Sequence, residues 1–527
     1  MLHPEDAVLD PQRRTRILVA MCVALVAVVA SVSGLNVAQQ QLAVDLGASQ
    51  GDLLWIINGY TIALAALLMP IGAIGDRWGR KKVLVGGLVV FVAANIGAVV
   101  AATVTQLLVA RIAAGVGAAM IMPVTLSVIT SSFPDEERDR AVGVWAGFAG
   151  AGGILGLVSS SIVVDNFTWP WVFALPVLMA VVSFVMTLVA VPHSREHTEG
   201  RFDTVGSILS AVAVGAFVLG IHEGPERGWT DSLTLVGLAL GVGAGIAFVV
   251  WELRQSHPLL NLRVFGNRML TAGTVYLLIV FAIMMALFLV LVQFLQAGLG
   301  YSAIKASAGL LPMAAVMMPL SAAAPLVARR VGMRIMFAGG AVLVAAGLAL
   351  MALLADADRG YFSVLPGLMV LAVGIGLSMT PGTTAITGSL PVEEQGVASA
   401  LNDTVRELGG AVGVALIGSV LSSAYSSAVS DATVGLPEEA ANVVQEGIGG
   451  AVVVAGQMGP QGETLLHAAR TAFVDAWTSS IWISAGLAVV AAVFALVWTP
   501  SRRAEFADDE VVEAAAGETV LGVTVGD

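Results

Sequence analysis

Residues 72–82 read Gly-Ala-Ile-Gly-Asp-Arg-Trp-Gly-Arg-Lys-Lys, and this charged stretch lies between two long apolar runs of the chain. One acid and four bases in so short a segment predict a loop at the face of a membrane. Asp76 is expected at the C-terminal end of the preceding helix, where the helix dipole disfavours a carboxylate. Its position therefore predicts a docked partner, either a cation or the N-terminus of another helix.

The composition is typical of a polytopic membrane protein. Of the 527 residues, 57% are hydrophobic and 12% are charged, with a mean hydropathy of +0.89, whereas soluble domains are about 25% charged. The single cysteine, Cys22, allows no intramolecular disulfide. The six histidines fall in loops or tails without a ligand cluster, so neither a metal site nor a cofactor is predicted. The acids responsible for the net charge of −12 lie in peripheral segments, so no nucleic-acid partner is predicted.

Apolar runs long enough to cross a bilayer recur along the chain. There are about fourteen, near residues 17–42, 53–74, 83–102, 105–131, 141–163, 170–191, 204–222, 233–253, 271–296, 304–327, 335–355, 362–389, 397–424 and 478–498. An even number places both termini on one side of the membrane. With the N-terminus inside, cytoplasmic segments hold nineteen lysines and arginines and outer segments hold four. This asymmetry predicts a multi-pass protein of the plasma (inner) membrane with both termini cytoplasmic.

The charged stretch resembles the loop between the second and third spans of the major facilitator superfamily, whose pattern is G-x-x-x-D-R-x-G-R-R. Gly72, Asp76, Arg77, Gly79 and Arg80 occupy the motif positions. The resemblance implies an all-α integral membrane fold of two six-helix bundles. It also implies that these five residues gate a transporter at the cytoplasmic side.

The second half of the chain carries a related loop. Residues 325–334 keep a glycine and three bases in the corresponding place but contain no aspartate. Two spans, 204–222 and 233–253, are surplus to two bundles of six and lie between the halves. Twelve core spans with an inserted central pair, fourteen transmembrane helices in all, resemble the fourteen-span drug:proton antiporter branch of the superfamily.

These spans predict how the chain is divided. The predicted parts are a cytoplasmic N-terminal tail (1–16), an N-terminal six-helix bundle (17–191), a linker with two extra transmembrane helices (192–270), a C-terminal six-helix bundle (271–499) with a long outer loop (426–477), and an acidic disordered tail (500–527). The tail is predicted to be disordered because it holds seven acids and no base after Arg503.

Two acids lie well inside an apolar span. Asp403 can meet Arg406 or Glu407 on one helix face, because these residues follow it by three and four positions. Two carboxylates and one guanidinium leave one negative charge uncompensated, and ionisable groups at membrane depth are functional candidates. A proton on one acid is the least costly remedy, so the three residues are predicted to couple protons to transport. The alternative is a static ion cluster that holds the span in place.

Arg111 opens a segment that resembles the fourth-span motif R-x-x-x-G-x-G, which the family links to proton coupling. Arginine does not release its proton at accessible pH, so its predicted role is to tune an acid or to bind an anionic group. Two positions depart from the family pattern. Ser31 stands where the first span usually carries an aspartate, and Leu157 stands where the fifth span usually carries a proline. With two glycines also missing, the fifth span is predicted to be straighter and less closely packed.

Polar and soft side chains on inward faces are the candidates for contacts with a substrate. They are Asn36, Gln39, Asn58, Tyr60, Gln293, Gln296, Met313 and Met317. The methionines offer adaptable apolar surface.

The sequence therefore predicts a secondary active efflux transporter that exports lipophilic or amphipathic small molecules by proton antiport with alternating access. It is expected to act as a monomer among membrane lipids. The alternative is a transporter of lipids or cell-envelope precursors with weak or no proton coupling, motivated by Ser31 in place of an acid. An enzyme is not predicted, because the sequence shows no nucleophile with a base, no phosphate loop and no metal cluster.

Overall fold

The computed structural model describes residues 10–192, 202–355 and 360–501. Within these ranges the chain forms helices and no strand. The α-helices are α1 Pro11–Leu46, α2 Gln50–Trp78, α3 Arg80–Val99, α4 Val104–Ser132, α5 Asp135–Asn166, α6 Ala174–Ala190, α7 Thr204–Arg227, α8 Ser232–Glu252, α9 Arg268–Gln293, α10 Ala303–Ala308, α11 Leu311–Val331, α12 Met333–Leu354, α13 Leu365–Thr387, α14 Gln395–Val429, α15 Glu438–Glu446, α16 Ile448–Met458 and α17 Gly462–Trp498. Short 3₁₀ helices cover Trp169–Phe173, Leu262–Gly266, Gly360–Ser363, Val392–Glu394, Ser430–Thr433 and Gly459–Gln461, and a π-helix covers Phe294–Gly298.

Fourteen helical segments of the described chain are long and apolar enough to cross a membrane. One comes from each of α1–α9, α12, α13, α14 and α17, and α10 with α11 supplies the other. A helix suits hydrocarbon because each backbone polar group finds its partner within the segment. The prediction of an all-α membrane fold with fourteen spans is confirmed.

The helices pack mainly within two groups. In the first half α3 packs on α4, α1 packs on α5 and α6, and α2 packs on α4. In the second half α12 packs on α13 and α17, and α14 packs on α9. The groups meet where α5 contacts α11 and where α2 contacts α14. The hairpin of α7 and α8 covers the second of these junctions, since α7 lies against both α2 and α14.

Two boundaries differ from the sequence prediction. α1 begins at Pro11, inside the predicted tail, because Asp10 caps the helix by accepting from the Gln12 N–H at 2.9 Å. The predicted outer loop 426–477 is largely helical and contains the end of α14, all of α15 and α16, and the start of α17. Apolar length marks only the part of a helix that crosses hydrocarbon, so the sequence does not show these extensions. Of the predicted acidic tail, residues 502–527 lie outside the described ranges.

α5 packs closely against both α1 and α11, so the prediction of a less closely packed fifth span is wrong. A Cβ added at Gly143 would lie 2.6 Å from the Ser321 carbonyl oxygen in α11, and one added at Gly156 would lie 2.6 Å from the Ala30 Cα in α1. Small residues permit such short distances between helix backbones. Glycines at these positions therefore provide the close approach that the missing motif glycines would give.

The α2–α3 and α11–α12 loops have the same construction. Gly79 and Gly332 have φ values of 102° and 85°, in a region of the Ramachandran plot that favours glycine. Two residues later in each loop, a base donates to the end of a helix. Lys81 donates to two carbonyls at the end of α6 at 2.9 and 2.7 Å, and Arg334 donates to a carbonyl just after α17 at 2.7 Å. Cations stabilise helix C-termini. We call the end of the bundle that carries both loops the basic face.

Replacing Gly79 by alanine is expected to destabilise the protein by about 1–3 kcal/mol, because alanine is strained at a φ of 102°. Thermal unfolding of the purified protein in detergent would show this as a lower Tm. Gly243→Ala in α8 is the matched control, since a Cβ at that position meets nothing within 4 Å. A Gly79→Ala protein that melts at the parental temperature would contradict the strain.

Candidate functional site

Asp76 joins the two halves of the molecule at the basic face. The residue is 5% exposed, and its Oδ1 accepts from Nε and Nη2 of Arg80 at 3.2 and 3.0 Å. The same carboxylate accepts from the backbone N–H groups of Gly396 and Val397, in the first turn of α14, at 2.9 and 3.1 Å. Both a cation and a helix N-terminus thus stabilise the charge. We call this contact the Asp76 latch.

Glycine lets α2 and α14 approach each other beside the latch. A Cβ added at Gly72 would lie 2.5 Å from the Gly396 carbonyl oxygen and 2.6 Å from the Ala400 Cβ. No side chain larger than hydrogen therefore fits at residue 72 while the helices keep this distance. Arg77 lies half-buried in the last turn of α2.

A second contact between the halves lies on the same face. Nη2 of Arg329, in α11, is 3.3 Å from Oδ2 of Asp139, in α5. Arg329 precedes Gly332 by three residues, as Asp76 precedes Gly79, so a base occupies the place of the acid in the repeated loop. The two side chains are 58% and 40% exposed, and a pair of this kind contributes only about 0–1 kcal/mol.

Asp403 is fully buried in α14, with 0% exposure. Its Oδ1 accepts from Nη1 of Arg406 at 3.3 Å and from Nδ2 of Asn402 at 3.1 Å. Its Oδ2 has no hydrogen-bond partner within the described ranges. A buried carboxylate with one oxygen unpaired is costly, and a proton on that oxygen would lower the cost.

The guanidinium of Arg406 contacts two aromatic rings. Its Cζ is 4.5 Å from the ring centroid of Phe281 in α9 and 5.3 Å from that of Trp145 in α5. Trp145 is fully buried and donates through Nε1 to Oγ1 of Thr125 at 3.1 Å. Each cation–π contact contributes about 0.5–2 kcal/mol. Because Trp145 belongs to the first half and Arg406 to the second, this contact also crosses the junction.

Glu407 lies one turn beyond Asp403 and is half-buried. Among the residues that the structure describes, it has no hydrogen bond and no ion pair within 4 Å. It interacts electrostatically with Asp403 and Arg406 on its own helix and with Tyr60 of α2. Glu407 is therefore a carboxylate at membrane depth that can accept a proton or a cationic ligand.

Arg111 is fully buried in α4 and has neutral partners. Nη1 donates to Oγ of Ser31 at 3.1 Å, Nε donates to the Ile56 carbonyl at 3.4 Å, and Cζ lies 4.3 Å from the Tyr60 ring centroid. Ser31 donates in turn to Oδ1 of Asn95 at 3.2 Å. In the described part of the chain no carboxylate lies within 4 Å of this guanidinium. Ser31 thus meets Arg111 where the family pattern would supply an aspartate.

The predicted substrate contacts differ in exposure. Gln39, Asn58 and Gln293 are half-buried, and Gln296 is exposed. Three are fully buried: Tyr60, Met313 and Met317. The Tyr60 hydroxyl donates to the Val28 carbonyl at 3.1 Å, and the ring of the same residue lies 4.3 Å from Cζ of Arg111. Asn36 lies in α1, and its side chain is outside the described part of the structure.

Sequence reasoning missed the residues that hold Arg406 across the junction. Trp145 and Thr125 resemble ordinary packing residues, because the partner of the indole ring lies far away in the chain. The available signal was the depth of Trp145 within its helix, since tryptophans of membrane proteins concentrate at the interfaces.

A family model described as the Major Facilitator Superfamily matches residues 19–414. The chain belongs to the Major Facilitator Superfamily. The family prediction made from residues 72–82 is therefore confirmed. As a member of this superfamily with fourteen apolar spans, the chain is a multi-pass membrane protein.

Other members of the superfamily are similar along nearly the whole chain. The multidrug efflux pump LfrA of Mycolicibacterium smegmatis is 32% identical over 88% of this chain and 91% of its own length. The methyl viologen resistance protein SmvA of Salmonella typhimurium is 28% identical over 93% of this chain and 98% of its own. A solved bacterial homologue of the human lysosomal transporter Spinster, inward-facing and unoccupied, matches with a TM-score of 0.58 at 16% identity, covering 93% of this chain and 100% of that one. This last likeness shows the fold alone.

Proposed function

We propose that this chain is a secondary active transporter that exports lipophilic or amphipathic small molecules in exchange for protons, acting as a monomer. The observation that carries the proposal is Glu407, a half-buried carboxylate beside the buried pair of Asp403 and Arg406, for which the described ranges supply no hydrogen bond and no ion pair. Relatives whose names describe multidrug efflux and methyl viologen resistance support the export of small molecules. The proposed ligands are the drug and the proton, and no covalent step is involved.

Proton exchange follows from the charges on α14. Arg406 compensates Asp403, so an ionised Glu407 is stable only where water or a cationic ligand reaches it. In the proposed alternating access, a drug-binding cavity between the two halves opens to one side of the membrane at a time. When this cavity faces the cytoplasm, Glu407 releases its proton to water and the drug binds. When the cavity faces outward, the drug leaves and the carboxylate takes up a proton from outside. The neutral acid then permits the return to the cytoplasm-facing state.

We infer that the protein lies in the plasma (inner) membrane with its basic face and both termini on the cytoplasmic side, because bases concentrate on the cytoplasmic side of membrane proteins. The Asp76 latch then closes the cytoplasmic end of the cavity. Opening that end breaks the hydrogen bonds from Gly396 and Val397 to Asp76, and closing restores them. Gly72 serves this gate through the close approach of α2 to α14, Gly79 through the turn between α2 and α3, and Arg80 through its bonds to Asp76 and to the Val392 carbonyl. Arg77 is assigned to the gate by its motif position.

Resistance and transport assays test the proposed function. Cells that produce the protein are expected to tolerate more methyl viologen, or more of another drug in a panel of lipophilic compounds, than cells without it. Proteoliposomes that contain the purified protein are expected to accumulate the drug that these cells tolerate, provided that the lumen is more acidic than the bath. Uptake that ignores the pH gradient would contradict proton antiport.

A transporter of lipids or cell-envelope precursors with weak coupling is the second candidate. The observation that favours it is the neutral Ser31 hydroxyl 3.1 Å from Arg111, where the family pattern has an acid. Movement of a fluorescent lipid between leaflets without a pH gradient, together with no drug uptake, would favour this function over drug export.

Trp145→Leu is expected to slow gradient-driven export by about two- to thirtyfold, the equivalent of a cation–π contact of about 0.5–2 kcal/mol. Without the indole ring, Arg406 is less firmly held beside Asp403. Trp145→Phe keeps an aromatic face and should retain most of the rate. Drug uptake by proteoliposomes measures both variants, with Trp482→Leu, which removes an exposed tryptophan of α17, as control. Equal rates for the leucine and phenylalanine variants at residue 145 would contradict the role of the ring.

A further inference from the structure

Buried polar atoms without partners line one face of α14 between the basic face and Asp403. They are Oε1 of Gln395, Oγ of Ser399, Oδ1 of Asn402 and Oδ2 of Asp403, and none has a hydrogen-bond partner in the described ranges. Gln395 is 6% exposed and the other three residues are 0% exposed. A buried acceptor without a partner is costly, so four together indicate that something binds along this face.

The spacing of these residues places them in a single line, which we call the α14 stripe. They follow one another by four, three and one positions, which at about 100° per residue confines them to an arc of about 100°. At a rise of about 1.5 Å per residue, the stripe covers about 12 Å. Thr404 also has a buried hydroxyl without a partner, but it lies on the opposite face of the helix.

The Gln395 end of the α14 stripe lies at the Asp76 latch. Nε2 of Gln395 donates to three carbonyls at and after the end of α13, at 2.8, 3.1 and 3.4 Å, and Oε1 has no hydrogen-bond partner in the described ranges. The next two residues, Gly396 and Val397, give their N–H groups to Asp76. Separation of Asp76 from α14 would therefore uncover the Gln395 end of the stripe.

The Asp403 end of the α14 stripe lies beside the positive charge of Arg406. Arg406 bonds to Asp403 at 3.3 Å, so the stripe ends at this ion pair, one helical turn before Glu407. Among the residues that the structure describes, the ionisable groups near the stripe include Glu407 on α14, Tyr60 and Arg111 at the level of Glu407, and Asp76, Arg80 and Glu394 at the latch. α9 has only Arg268, at its first residue, besides the neutral Tyr276, and α13 has no ionisable residue.

We propose that the α14 stripe is the path by which a proton passes between Asp403 and the cytoplasm, through water molecules bound to its four oxygens. The inference rests on the proposed proton antiport. Buried waters bind polar groups that otherwise lack partners. The O–H bond of the Asp403 carboxyl breaks as the adjacent water gains a proton, and successive waters pass one proton on. The Asp76 latch closes this path, so the movement that opens the cavity to the cytoplasm also admits water to Gln395.

Time-resolved infrared spectroscopy of the purified full-length protein after a pH jump tests the path. The probe is the proton, and the readout is the carboxyl C=O band that disappears in Asp403→Asn. Ser399→Ala is expected to slow the appearance of this band by about tenfold, the effect of about 1.4 kcal/mol on the barrier. Ser399→Thr keeps a hydroxyl and should restore the rate. Thr404→Val is the matched control, because it removes a buried hydroxyl from the opposite face.

Three results would overturn the path: a parental rate in Ser399→Ala, equal slowing in Ser399→Ala and Thr404→Val, or no band that depends on Asp403. A change in stability alone would not separate the two faces of α14, so the comparison excludes a purely structural effect. The infrared readout needs no drug. If the parent takes up drug only with a pH gradient but Ser399→Ala protonates Asp403 at the parental rate, the path is refuted and antiport stands. If Ser399→Ala protonates Asp403 more slowly than Thr404→Val but the parent takes up drug without a gradient, antiport is refuted and the path stands.

Discussion

Glu407→Gln is expected to lower gradient-driven drug export by about tenfold or more, the effect of at least about 1.4 kcal/mol on the transport barrier. The glutamine amide resembles the protonated acid in shape but neither takes up nor releases a proton. Uptake by proteoliposomes with an acidic lumen measures the loss. Exchange of labelled for unlabelled drug is also expected to fall, because in the proposed cycle the drug binds the deprotonated acid and glutamine mimics the protonated one.

Two further variants make this result specific. Asp475→Asn changes an exposed acid of α17 and should export at the parental rate. Asp403→Asn should also lower the free energy of unfolding, by about 3–5 kcal/mol, because it leaves the buried Arg406 without its carboxylate. Glu407→Gln breaks no such pair and should keep the parental Tm. Export by Glu407→Gln at the parental rate would show that another group carries the coupling proton.

Gly72→Val is expected to stop export by preventing closure of the basic face. A Cβ at this position would lie 2.5 Å from the Gly396 carbonyl oxygen, so α2 and α14 must separate and the Asp76 latch must lengthen. Overpacking of this kind costs about 1–3 kcal/mol, which shifts a two-state equilibrium toward the open form by about five- to 150-fold.

Cross-linking at the basic face reports the closure directly. Cysteines introduced as Asp139→Cys and Arg329→Cys, in a Cys22→Ala background, flank the junction between α5 and α11. A short thiol cross-linker should join them far less efficiently after Gly72→Val. Gly339→Val in α12 is the matched control, since a Cβ there meets nothing within 4 Å. Undiminished cross-linking and export in Gly72→Val would show that the glycine contact does not limit closure.

The fold was predicted well from the sequence, because the signal for a membrane-spanning helix lies within each stretch of sequence. Each span needs a long apolar helix, and a run of apolar residues reports that need directly. The acids of α14 were also visible, because Asp403 and Glu407 are conspicuous within an apolar span. The ends of helices were harder to predict. Beyond the hydrocarbon, caps such as Asp10 and the packing of α15 and α16 decide where a helix begins or ends.

Contacts between distant helices were not predictable from a single sequence. Nothing in the pattern around Trp145 identifies Arg406 as the neighbour of its ring. The prediction for α5 failed for the same reason. The missing motif glycines were visible, but the close approach of Gly143 to α11 depends on which helix lies opposite. The meeting of Ser31 with Arg111 likewise became apparent only when α1 and α4 were seen side by side.

The most direct test of proton exchange at α14 follows drug and proton in the same proteoliposomes. A pH-sensitive dye in the lumen records proton movement while a labelled drug, chosen from the resistance panel, is added to the bath without an initial pH gradient. We expect the lumen to become more alkaline as the parent protein takes up drug, and no such change with Glu407→Gln. Drug uptake by the parent without any proton leaving the lumen would contradict exchange at Asp403 and Glu407.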